Sequence, residues 1–136
     1  MLRKILSVIA GILVGGLGIM MIQSISGEIY HWPEGLDYND KDAFAAFVST
    51  LPVGAFLMVI LSYIVGSFFG GMTATAVAKE KYSSALIVGF ALTIAGVMNA
   101  MAIPQPMWVS IVSILVFIPF AFFGAKIFPL NNVNPE

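Results

Sequence analysis

Cysteine is absent from this chain. That absence removes disulfides, thiolate metal sites, thiol redox chemistry and cysteine nucleophiles together. Charge is nearly missing as well. Charged residues make up 10% of the 136 and hydrophobic residues 60%, against roughly 25% and 45–50% in soluble domains. The gap is too wide for a water-soluble fold, so lipid is the solvent of most of the chain. A net charge of −1 points to neither nucleic acid nor an anionic surface as a partner.

A further absence is positional. Four apolar runs, at residues 5–26, 53–78, 85–103 and 108–127, carry no Asp, Glu, Arg or His, and the only Lys is Lys126 near the end of the last. Each run makes a helix long enough to cross a hydrocarbon core of about 30 Å. Helix is required there, because every backbone amide must find its partner within its own segment. Proton-coupled transporters commonly carry a buried ionisable group, and ion pathways often do. A compact proton-driven exporter is therefore disfavoured, while passive conduction or facilitated movement is not.

What is present then sets the architecture. The length suits a single integral membrane domain over 1–136. The expected fold is all-α: a four-helix transmembrane bundle of up-down topology. Arg3 and Lys4 precede a run longer than the usual core of a signal peptide, about 7–15 residues, so a true span is expected there even though "SIS" at 24–26 looks like a cleavage site. Arg3, Lys4, Lys79, Lys81 and Lys126 fall on one side of the spans and only Lys41 on the other. The positive-inside rule puts that basic side, with both termini, in the cytoplasm.

The other side receives one substantial acidic loop, residues 27–42, within "GEIYHWPEGLDYNDKD". Its charges collect there because the spans exclude them. Tyr30, His31 and Trp32 suit the headgroup boundary, and Pro33 and Gly35 turn the chain out of the first helix. Asn39 is expected to cap the next helix, with Asp42 in the capping-box position. In "DKDAFAAFVSTLP", Phe44, Phe47, Val48 and Leu51 form one apolar stripe up to Pro52. Two arrangements fit: a separate interfacial helix, or an amphipathic extension of the second span kinked at Pro52. The second is preferred, since Ser49 and Thr50 can satisfy backbone groups that the proline frees. The tail "FPLNNVNPE" is polar and expected to be loosely ordered.

Small residues give the clearest positional signal inside the spans. Gly66, Gly70 and Ala74 recur at four-residue steps beside Gly71; Gly11 and Gly15 lie on the first span, and Gly89 and Gly96 on the third. Such stripes let helices approach closely. Packing within one bundle is the first expectation, and an interface to a second copy or a membrane-protein partner the sharper one. Gln23, Ser67 and Asn99 form the candidate polar intramembrane site.

No catalytic set emerges. Glu34, Asp37, Asp40 and Asp42 lack the spacing of a calcium loop, and His31 with Glu28 or Glu34 has no nucleophile or metal-ligand companions. No cofactor or metal is expected. The stretches "PEGLDYNDKDAF", "TLPVGAF", "GSFFGGMTATAVA" and "MAIPQPMW" together resemble the small four-span inner-membrane proteins of unassigned function found widely in bacteria. The resemblance implies a location and no reaction. The functional expectation is a non-enzymatic membrane subunit or assembly protein, oligomeric or partnered and embedded in the bilayer. A small oligomeric transporter or channel is the alternative, and a lipid-acting enzyme comes last.

Overall fold

A computed structural model describes residues 1–80 and 82–128. Lys81 and the tail from residue 129 onward, for which a loosely ordered course is expected, lie outside the described residues. Within them the chain forms five helices and no strand: α1 (Leu2–Ile29), α2 (Lys41–Thr50), α3 (Val53–Ala78), α4 (Ser83–Ala102) and α5 (Met107–Ile127). Helices α1, α3, α4 and α5 are each long and apolar enough to cross a membrane. The chain is thus a multi-pass membrane protein built as a four-helix bundle with one short extra helix.

The outer two helices of the bundle never meet. α3 packs against α1, α4 and α5, and α4 also touches α1 and α5. In cross-section the four spans make a rhombus with α3 and α4 across its short diagonal and α1 and α5 at the far corners. Glycine and alanine make these contacts close. A Cβ placed on Gly11 would lie 2.7 Å from the Gly70 carbonyl oxygen, and one on Gly66 would lie 2.6 Å from the Gly15 carbonyl. On the other side of α3, a Cβ on Gly71 would run into the Ala121 carbonyl and one on Gly124 into that of Phe68. On α4, Gly89 lies against Ile118 and Ala121, and Gly96 against the Phe117 ring. Between lipid-solvated helices this dispersion contact replaces the missing hydrophobic drive. Pro119 stands inside α5 and leaves the Leu115 carbonyl without its helical donor.

At one end of the bundle Arg3 Nε donates to the Val77 carbonyl at 2.9 Å, and Lys4 Nζ to Ser83 Oγ at 2.6 Å. Ser7 Oγ meets Ser84 Oγ at 3.1 Å, and Ser84 Oγ donates to Glu80 at 2.9 Å. This polar seam joins α1 to the α3–α4 connection and explains why α1 extends past the expected residue 5 to Leu2. We call it the basic end.

The opposite end carries α2, where two expectations are corrected. The chain does turn at Pro52, but it breaks instead of kinking. Leu51 (ψ 137°) and Pro52 (ψ 160°) are both extended, so α2 and α3 are separate helices. A residue before proline is pushed out of helical geometry, and the break lets α2 fold back over the bundle. Phe44 and Val48 then bury in a cluster with Phe56, Ile60 and Val109. Nor does Asn39 cap α2. Asp40 does: its Oδ1 accepts from the amides of Asp42 and Ala43 at 3.1 and 3.2 Å.

Two outcomes follow from this packing. Gly11→Leu should lower the unfolding free energy in detergent by about 1–3 kcal/mol through overpacking. Gly16→Leu, whose Cβ meets nothing within 4 Å, should leave the thermal midpoint unchanged. Asp40→Ala should destabilise α2 by about 1 kcal/mol, seen as faster hydrogen exchange over residues 41–50, whereas Asn39→Ala should not.

Candidate functional site

Hydroxyls and amides behave differently inside a membrane helix. A serine or threonine bonds back to its own helix; a carboxamide must look to a neighbour. Ser67 Oγ donates to the Tyr63 carbonyl, and Thr93 Oγ1 to that of Gly89 at 2.8 Å. Both hydroxyls are spent locally. Asn99 on α4 instead reaches across to α3, where its Nδ2 donates to Tyr63 Oη at 2.7 Å. Gln23 on α1 makes a long contact from Nε2 to Ser62 Oγ on α3, at 3.4 Å.

Asn99, Tyr63 and Gln23 line one cavity of about 170 Å³ at the α2 end of the bundle. Besides Asn99 of α4, its walls come from five other parts of the chain. α1 gives Gln23, Ser26 and its C-terminal Tyr30; the loop gives Trp32; α2 gives Phe44 and Val48. α3 adds Phe56, Val59 and Tyr63, and the α4–α5 connection adds Gln105, whose Nε2 donates to Ser110 Oγ at 3.0 Å. Trp32 anchors the roof, with ring centroids 5.9 Å from Phe44 and 5.1 Å from Phe47. Toward the basic end the floor is closed where Tyr63 packs on Phe117 at 4.9 Å between centroids. Lining groups are apolar, hydroxyl or carboxamide, and none is a charged side chain.

Of the three polar residues named from sequence, the structure therefore brings two together. Gln23 and Asn99 share the cavity, while Ser67 lies buried one turn beyond Tyr63 and outside its lining. Sequence reasoning missed Tyr63, although it is the one tyrosine within the four apolar runs and hence the natural partner for a deep amide. It also placed Tyr30 and Trp32 at a headgroup boundary without seeing that they roof a pocket. The small residues singled out all face inward. Gly11, Gly15, Gly66, Gly70, Gly71, Gly89 and Gly96 each meet another helix, and Ala74 is fully buried.

The acidic loop is occupied with local structure. Asp37 Oδ1 accepts from the Asn39 amide at 2.9 Å, and Asp40 caps α2. No group of three or more His, Asp or Glu side chains converges among the described residues. Two buried hydroxyls, Thr75 and Ser113, have no hydrogen-bond partner there. No family model matches the sequence, and neither a curated protein nor a solved structure matches it.

The contrast between local and interhelical polar groups is measurable. Asn99→Ala should cost about 0.6 kcal/mol of stability in detergent, the average for a hydrogen bond between membrane helices, and at most about 1.7 kcal/mol. Ser67→Ala, which removes a bond within one helix, should cost less than Asn99→Ala.

Proposed function

We propose that this chain is a non-enzymatic protein of the bacterial inner membrane that takes a small neutral solute into a pocket at its outer end, the binding step of a transporter-type protein. One observation carries the reading. Polar groups from α1, α3 and α4, far apart in sequence, converge on one uncharged cavity. Helix packing alone gives no reason to leave such a space, since membrane bundles are stabilised by close contact.

Orientation supports it. Arg3, Lys4, Lys79 and Lys126 belong to the end opposite α2, and the positive-inside rule assigns that end to the cytoplasm. The pocket then faces the outer side. The reading as an assembly subunit drew on small-residue faces available to a second chain. Every one of those residues is used within this chain, which shifts the weight to the cavity.

Because the chain lacks cysteine, single cysteines report directly on access. With the protein in native membranes, Asn99→Cys and Ser26→Cys should react with N-ethylmaleimide faster than Ser67→Cys, whose site is fully buried. An impermeant thiol reagent added outside should label Asn39→Cys and spare Lys79→Cys. Equal, slow reaction of Asn99→Cys and Ser67→Cys would overturn the pocket reading, and co-purification of a stoichiometric membrane partner covering α2 would restore the subunit.

A further inference from the structure

Resting on that reading, we infer that the pocket selects a neutral, single-ring solute bearing one hydroxyl, a phenol-class molecule, and that Tyr63 and Asn99 read the hydroxyl together. Size comes first. The cavity measures about 170 Å³, and a dry apolar cavity of about 150 Å³ holds one benzene molecule. One ring fills that volume. Trp32, Phe44 and Phe56 present aromatic surface to it, with Val48 and Val59 between them, and aromatic walls favour ring faces and edges.

The polar end specifies the substituent. Asn99 Nδ2 donates to Tyr63 Oη, so the phenolic oxygen of Tyr63 acts there as acceptor and its own proton is not used in that bond. Asn99 Oδ1 is likewise not used in it. A donor and an acceptor thus stand side by side at the cavity wall. A hydroxyl complements both with a single atom, accepting from Tyr63 Oη and donating to Asn99 Oδ1. Three hydrogen bonds then close a ring among solute, tyrosine and asparagine. A carbonyl satisfies only the tyrosine, and a carboxylate or ammonium sheds its hydration with no opposite charge among the lining residues.

The test uses the full chain in lipid nanodiscs and fluorine NMR of three probes matched in size: 4-fluorophenol, 4-fluorotoluene and 4-fluorobenzoate, each referenced to empty nanodiscs. 4-Fluorophenol should bind saturably and about tenfold more tightly than 4-fluorotoluene, the contrast expected for one net hydrogen bond; 4-fluorobenzoate should bind weakest. Tyr63→Phe, which keeps the ring and its packing, should abolish the preference for the phenol while sparing 4-fluorotoluene, and Asn99→Leu should do the same. Thermal midpoints of both variants identify a loss due to misfolding. Equal binding of phenol and toluene overturns the hydroxyl assignment and leaves a neutral-solute pocket standing. Tightest binding of the benzoate overturns the neutral assignment. If no probe binds saturably, the phenol assignment falls, and the maleimide experiment decides the pocket on its own.

Discussion

The backbone-to-backbone contact of α3 with its two flanking helices is the interaction on which the rest of the molecule depends. Successive residues of a helix point about 100° apart. Gly70 and Gly71 therefore face different neighbours: Gly70 receives α1 at Gly11, and Gly71 receives α5 at Ala121. One pair of adjacent glycines lets a single helix be approached from two directions at once. Lipid offers no hydrophobic reward for that approach, because acyl chains solvate leucine as well as another leucine does. Dispersion must supply it, and dispersion falls away within an ångström of extra separation.

That tight seam occupies only part of the bundle. From Gly66 to Thr75, the buried residues of α3 are glycine, alanine, serine and threonine. From Phe56 to Tyr63 they are mostly Phe56, Ile60 and Tyr63, bulkier side chains. α2 and Trp32 lie over that end of the bundle. The cavity is what remains between a floor set by Tyr63 on Phe117 and a roof of aromatic rings. It lies beside the stretch of α3 where small buried residues give way to Phe56 and Tyr63.

Much of this architecture could be read from the chain. Length and hydropathy marked each span, and α3 runs from Val53 to Ala78 as its apolar run does. The four-residue spacing of Gly66, Gly70 and Ala74 marked a packing face because small residues in a membrane helix have few other uses. Which helix met which face was not legible. A span that is apolar all round has no amphipathic stripe to reveal its inward side, so nothing in α4 alone aims Asn99 at Tyr63. The course of α2 was half legible. Pro52 signalled the break, but whether the chain continued outward or folded back turned on Phe44 and Val48 finding Phe56, Ile60 and Val109, a contact made only in three dimensions. The cap residue was misplaced by one because Asn39 and Asp40 are both good caps, and local sequence does not rank them.

The polar groups carry the argument from structure to function. A buried hydroxyl can be satisfied by its own helix, as Ser67 is. A carboxamide offers two donors and two acceptor lone pairs, and no single neighbour satisfies them all. The Asn99 bond to Tyr63 uses one donor, and leaving the remainder dry in an apolar setting costs free energy. Asn99, in the last turn of α4, is therefore better placed beside a polar space than in a dry helix contact. The cavity provides that space, with Gln23, Ser26 and Gln105 set among its aromatic walls. On the function proposed above, a solute with both characters is the occupant that this mixed lining suits.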